Sequence, residues 1–255
     1  MTDRAASLLP PEAFVAVFEP LLGRRIGFVQ PLGNAGDLLI KAGTVQLLSH
    51  FGIDWIEFDP GVPEPVDELV FGGGGNMGYL HPDNVALRAS CMTLGLPMTI
   101  LPQSYISRED AGYHRVWVRE RISLRHCRTA SLAPDLALGY VGSTETKVKH
   151  ETGLFLREDP ESAVRRPREA RDPALICGTP AEYLELAAQY AHIVTDRLYF
   201  AIAGMIVGRE VTLLPNTYHK NQGVHEAWLA DLGCHWARSV RHALTRARRR
   251  SRQQI

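Results

Sequence analysis

Two stretches near the carboxyl end concentrate side chains that could act on a small anion. In "VTDRLYF", Asp196 and Arg197 stand where an apolar β-like run gives way to an apolar helical one. The planar fork of an arginine at such a junction suits a carboxylate or phosphate. In "LLPNTYHKNQG", the next β-like run ends in Asn216, Tyr218, His219 and Lys220. That places an amide, a phenol, an imidazole and an ammonium within five positions, and the imidazole can serve acid–base work near neutrality. A polar surface loop would have the same composition, and for this stretch alone the two readings stand level.

Glycine-rich turns earlier in the chain supply backbone donors. "FVQPLGNAGDLLI" runs from a strand-like segment through Gly33, Asn34 and Gly36 into a helical pattern. The N–H groups and dipole of such a helix start favour an anion. Asp37 then serves as a cap or as a reactive carboxylate, and taken alone a capped turn is the stronger reading. In "FGGGGNMG", Gly73, Gly74 and Gly75 with Asn76 leave little side chain to pack, so a ligand or another element must approach the backbone. The run fits neither GxGxxG nor a P-loop, which argues against a nicotinamide enzyme or a nucleoside triphosphatase. "LPQS" ends a further strand with Gln103 and Ser104, both able to hydrogen-bond a ligand. "VWVRE" presents Arg119 beside Glu120, a pair more often structural than catalytic. Asp135 reads as structural, capping a helix or lying at a domain edge.

The elements that must position these residues alternate. "RRIGFVQ", "DWIEFD", "ELVF" and "PMTILPQS" read as strands, with helical patterns at "DLLIKAGTVQLLSHFG" and "VALRASCMTLG". After a polar crossing at 143–173, which holds the small strand "GLFLR", come the helix "AEYLELAAQYAHI", the strand "HIVTD", the helix "RLYFAIAGMIVG", the strand "EVTLLPN" and a last helix "GVHEAWLADLG". Strand–helix alternation predicts an α/β fold with doubly wound, mostly parallel sheets. The expected domains are 24–142, a shortened second domain at 152–237, and a basic, flexible tail at 238–255.

The 255 residues suffice for a substantial core, and 45% apolar with 22% charged residues is ordinary globular composition. Formal charge is zero, yet seven of the 28 basic residues are arginines between positions 238 and 252, leaving 21 basic against 28 acidic residues before them. Nucleic acid is therefore not an expected partner of the body; the tail suits an anionic membrane surface as well as a solvated end. Cys91, Cys127, Cys177 and Cys234 are dispersed, which predicts neither a zinc site nor a disulfide framework and suits the cytoplasm. No signal-peptide pattern opens the chain. No metal is expected.

In series, "GNAGDLLI", "FGGGGNMG", "PQS", "VWVRE" with Arg121 before "IS", "APDLAL", "VTDRLYFAIAGMIVG" and "LLPNTYHKNQGVHEAW" resemble the polysaccharide pyruvyltransferase family over roughly residues 24 to 236. The resemblance implies two facing Rossmann-like domains, similar to B-type glycosyltransferases. It implies transfer of a pyruvyl group from phosphoenolpyruvate, a donor substrate with no further cofactor, to paired hydroxyls of a cell-surface glycan or its lipid-linked precursor. On this reading Asp37, Arg197 and His219 are catalytic. The donor and acceptor are bound by Gly33, Asn34, Gly36, Gly73, Gly74, Gly75, Asn76, Gln103, Ser104, Arg119, Tyr199, Asn216 and Lys220. The family's helix usually begins Arg-Leu-His, and here Tyr199 takes the His position. Location is expected in the cytoplasm, including the inner face of the membrane. The alternatives are a nucleotide-sugar glycosyltransferase and a non-catalytic relative.

Overall fold

The structure, a computed structural model, describes residues 7–109 and 111–251, with side chains as far as Thr245. Two compact units divide the chain. An amino-terminal unit holds Leu9–Gly33 and Leu39–Tyr140, and a carboxyl-terminal unit holds Asn34–Leu38 and the chain from Val141 onward.

In the amino-terminal unit a short helix, α1 (Val15–Phe18), precedes β1 (Arg25–Val29), and the turn after β1 leads into α2 (Ala35–His50). Then follow β2 (Asp54–Glu57), β3 (Glu68–Phe71), β4 (Gly74–Met77), α3 (Pro82–Met92), β5 (Met98–Tyr105), β6 (Arg115–Val118) and β7 (Ser131–Leu132). The strands lie in the order β2-β1-β3-β5-β6-β7, with β4 pairing β5 beyond the end of β3, and every pairing is parallel. All eight residues of β5 are buried, as expected of a strand covered on both faces. Strand order reverses between β1 and β3, so the loops after Val29 and Phe71 diverge at a topological switch point.

The glycine run differs from the expected corner. Its second half begins a new strand, β4, through Gly74, whose φ of 140° only glycine adopts readily. Gly72 and Gly73 are required by the protein's own packing. A Cβ at Gly72 would lie 2.6 Å from the Pro31 ring, and one at Gly73 would lie 2.7 Å from Ile40 and 3.0 Å from the Pro102 carbonyl.

The carboxyl-terminal unit contains β8 (His150–Phe155), α4 (Pro173–Ile176), α5 (Pro180–Ala188), β9 (Tyr190–Thr195), α6 (Leu198–Ile206), β10 (Glu210–Leu213), α7 (Lys220–Val224), β11 (His235–Trp236) and α8 (Val240–Ser251). Its four strands run parallel in the order β11-β10-β9-β8. On the open side of β8, Arg171 makes a parallel bridge to Phe155. This isolated bridge makes β8 the switch point: the chain leaves β8 to one side and returns on the other as β9. The segment read as a polar crossing thus supplies the pivotal strand. A capping box at Thr179 and Glu182 starts α5. The helix stops at Ala188, earlier than its apolar pattern suggests, because Tyr190, Ile193 and Val194 are taken into β9. Phe155, Tyr183 and Phe200 join β8, α5 and α6 in an aromatic cluster with centroid separations of 4.6 and 5.3 Å. The last expected helix is split into α7 and a π-helical turn, His225–Leu229. The basic end continues as α8; residues 252–255 of the expected tail lie outside the described part.

The fold class is thus the expected one: α/β, two Rossmann-like units on parallel sheets, the second shortened to four strands. Among the described residues no helix is long and apolar enough to cross a membrane.

Candidate functional site

Charged side chains gather at the carboxyl ends of β8, β9 and β10, where ligands bind in open parallel sheets. Past β8, the Arg157 N–H donates to Asp196 Oδ1 (2.8 Å) just beyond β9, joining the two strand ends. Its guanidinium reaches Asp159 (2.9 Å) and Glu161 (2.5 Å). Asp172, directly after the Arg171 bridge, caps α4 through the Ala174 N–H and accepts the Glu158 N–H. The same carboxylate receives the fork of Arg197, Nε to Oδ1 at 2.9 Å and Nη2 to Oδ2 at 2.6 Å. The remaining Arg197 nitrogen, Nη1, lies 2.8 Å from Asp159 Oδ2. Beyond β10, Lys220 Nζ donates to Glu161 Oε2 (2.6 Å). Asn216 donates to the same oxygen at 3.4 Å and accepts the Asn221 N–H, while Asn221 ties down the carbonyls of Asp196 and Leu214.

Three cations, Arg157, Arg197 and Lys220, therefore meet three carboxylates, Asp159, Glu161 and Asp172. Burial alone would raise the Glu161 carboxyl, but the charges and hydrogen bonds of Lys220 and Arg157 hold it down at about 2. Burial likewise acts to raise Asp172, and the Arg197 fork with two backbone N–H groups outweighs it and lowers it. Asp196 is the exception. Burial pushes its carboxyl up to about 6 against the Arg157 N–H and the nearby guanidinium charges, and its Oδ2 has no hydrogen-bond partner among the described residues. It is a fully buried acid that holds its proton into the weakly acidic range.

The expected site residues fall into two groups. In the carboxyl-terminal unit, Asn34 and Asp37 cap α2 reciprocally: Asn34 Oδ1 accepts the Gly36 N–H at 2.9 Å, and Asp37 Oδ2 accepts the Asn34 N–H at 2.8 Å. Gly36 is glycine because Tyr199 lies against it, with Cδ2 2.8 Å from where a Cβ would stand. The segment read first as a turn is thus in the same unit as Arg197, Tyr199, Asn216, His219 and Lys220. Tyr199, His219 and Lys220 are half-buried, whereas Arg197 and Asn216 are buried. Tyr218 lies edge-on to the His219 ring, with Lys220 Nζ 5.1 Å from the Tyr218 ring centre.

Gly33, Gly73, Gly74, Gly75, Asn76, Gln103, Ser104 and Arg119 belong to the amino-terminal unit. There Gln103 staples the glycine run, donating to the Gly72 carbonyl at 2.6 Å and accepting the Asn76 N–H at 2.9 Å. Arg119, wholly buried, binds Asp135 (2.6 Å) and Ser104 (2.9 Å). Asp135 caps the 3₁₀ turn Leu136–Gly139, as expected. Glu120 takes hydrogen bonds from Ser104 and Ser123. The Gln103, Ser104 and Arg119 side chains are committed to internal bonds, whereas Asn76 Nδ2 is buried with no hydrogen-bond partner among the described residues.

Residue types alone did not single out Arg157, Asp159, Glu161 and Asp172. The signal is present in "GLFLREDPE", a strand ending in charged residues as "VTDR" does, but it lies inside the polar segment 143–173. No group of three or more His, Cys, Asp and Glu side chains among the described residues is placed to hold a metal ion.

The chain matches no family model and no curated protein. Among solved structures it is similar to an uncharacterized protein from Klebsiella pneumoniae subsp. pneumoniae, with 20% identity and a TM-score of 0.73 over 89% of this chain and 97% of that one. That likeness shows the fold alone. A glycotransferase of kitacinnamycin aligns at 10% identity over 84% of this chain and 86% of that one, with a TM-score of 0.38.

Proposed function

We propose that the protein transfers the pyruvyl group of phosphoenolpyruvate to paired hydroxyls of a cell-surface glycan or its lipid-linked precursor, forming a pyruvate ketal. The observation that carries this reading is the gathering of Asn34–Leu38, Arg197, Tyr199, Asn216, His219 and Lys220 in one compact unit, whose strand ends hold three cations. The ordered motifs that resemble pyruvyltransferases point the same way.

The reaction protonates the methylene carbon of the donor, adds two hydroxyl oxygens at the neighbouring carbon and expels phosphate. One hydroxyl proton is balanced by the new methyl group and the other leaves with phosphate. Lys220 and His219, at the half-buried edge of the network, contact the donor's anionic groups. Lys220 suits exchange because a single carboxylate, Glu161, holds it in the network through a flexible stem. Arg197, with its fork closed on Asp172 and Asp159, keeps those carboxylates from opposing the donor. The His219 imidazolium protonates the methylene, and Asp37 accepts a proton from the acceptor. Tyr199, packed on Gly36, stands where the family has His and orients the acceptor. The reaction proceeds in the cytoplasm, with the basic end of the chain suited to the inner face of the membrane.

The test is phosphate release from phosphoenolpyruvate with saccharides bearing neighbouring free hydroxyl pairs. Acceptor-dependent release is expected, with kcat reduced roughly 100-fold or more in His219→Ala and donor KM raised in Lys220→Ala. Release of nucleoside diphosphate from a nucleotide sugar would replace this reading with glycosyl transfer. Donor binding without turnover on any hydroxyl pair would leave a binding protein.

A further inference from the structure

A second feature of the carboxyl-terminal unit takes no part in that chemistry. The loop 163–168, Ala-Val-Arg-Arg-Pro-Arg, and the start of α8 border a half-open cavity of about 1020 Å³. Among the described residues five arginines line it, Arg165, Arg166 and Arg168 from the loop and Arg238 and Arg241 from the α8 side, and no carboxylate does. Arg166 is fixed by Glu158 and by the Ala170 carbonyl, both at 2.5 Å. Arg165, Arg168, Arg238 and Arg241 have no carboxylate partner among the described residues.

Exposed arginines usually form a solvated face. Three observations set this group apart. First, its members come from segments about 70 positions apart in sequence and surround a concave space, so the like charges are brought together by the fold. Second, the two walls are held by the core: Val240 and Ala243 are buried in one apolar cluster, and Val164 and Leu244 pack against it, so the cavity is preformed with an apolar floor. Third, the chain before position 238 carries 21 basic and 28 acidic residues, yet among the described residues no acid lines this cavity. Glu158 offsets only Arg166, and bringing the other four guanidinium groups together without counter-charge is unfavourable unless an anion joins them.

The chemistry of the anion follows from the lining. Guanidinium forks match phosphoryl oxygens, and a single phosphate would leave most of the volume empty, since cavities of roughly 300–1,000 Å³ hold drug-sized ligands. We infer that this cavity is a binding site for a diphosphate ester, its phosphates held by the arginine rim and part of its body resting on the Val164, Val240 and Leu244 floor. The inference is independent of the reaction proposed above. The ester comes either from solution or from the headgroup of a lipid, and the arms of the test distinguish these sources.

The experiment titrates the full chain with inorganic pyrophosphate and with ADP by calorimetry, beside Arg165→Gln and the pair Arg238→Gln/Arg241→Gln. All three positions are exposed, so the variants should keep the parent's unfolding temperature; if the pair does not, Arg165→Gln carries the comparison. Saturable binding at least tenfold tighter than that of inorganic phosphate, and weakened at least tenfold by the substitutions, is expected. Phosphoenolpyruvate binding should be unchanged in them. Co-sedimentation with phosphatidylcholine vesicles containing a diphosphate-headed lipid, blocked by pyrophosphate, would assign the lipid source; binding of ADP without co-sedimentation would assign the soluble one. No saturable pyrophosphate binding at millimolar concentration, or binding that the substitutions leave untouched, would overturn the inference.

Discussion

Asp196 is the residue whose environment departs most from its ordinary chemistry. The unfolded chain ionises it near the usual aspartate value, whereas in the fold burial holds its proton up to about 6. Below both values the group is neutral in either state and costs nothing. As pH rises through that window the unfolded state ionises first, so the folded state loses stability. The shift of about 2 units amounts to roughly 3 kcal/mol at neutral pH. Asp196→Asn cannot ionise and keeps an acceptor for the Arg157 N–H. Urea unfolding from pH 4 to 8 should therefore show the variant gaining stability over the parent as pH rises to about 6, with a constant difference above 7. A difference that does not vary with pH would show that Asp196 ionises as it does in the unfolded chain. Glu161 works in the opposite sense: its lowered carboxyl favours the fold at neutral pH and ceases to do so as pH falls through the range below 4.5. Arg197, chosen from sequence for its fork, keeps that fork, but closed on Asp172 and Asp159. Sequence could identify the donor and not its partners, because those come from a segment with no recognisable period.

At the scale of elements, the periodic segments were legible and the irregular ones were not. β1, α2, β5 and α6 lie where apolar patterning puts them, since burial of one or both faces dictates the spacing. β8 is longer than its apolar run: only three of its six residues, Gly153, Leu154 and Phe155, look like a strand, and pairing to β9 recruits His150, Glu151 and Thr152. The glycine run was a ligand signal by composition and proved at Gly72 and Gly73 to be a packing signal, which needs knowledge of Pro31 and Ile40 as neighbours. The same logic yields a prediction at Gly43, inside α2. Arg119 holds Asp135, Asp135 caps the turn at Leu136, and the Leu136 carbonyl then sits 2.3 Å from where a Gly43 Cβ would lie. In an open helix Gly→Ala stabilises by about 1 kcal/mol. Here the backbone carbonyl cannot swing away, and the expected result is a loss of about 1–3 kcal/mol, measured as a lower unfolding temperature for Gly43→Ala. A higher one would mean that the helix and the turn are not in contact.

For the molecule as a whole, charge is distributed unevenly while summing to zero. Arginines concentrate around the cavity at α8, and the strand ends of β8, β9 and β10 carry a balanced set of cations and carboxylates. The balanced set can admit an anion by exchange at Lys220, whereas the unbalanced one attracts it outright. The two sites should therefore respond to different substitutions. The most direct measurement is calorimetric titration of the full chain with phosphoenolpyruvate, in the parent, in Lys220→Ala and in Arg238→Gln/Arg241→Gln. Saturable 1:1 binding is predicted, competed by inorganic phosphate, weakened at least tenfold (about 1.4 kcal/mol) in Lys220→Ala and unaltered in the arginine pair. Absence of saturable binding at millimolar donor, or equal affinity in the parent and Lys220→Ala, would contradict the assignment of the donor to these strand ends.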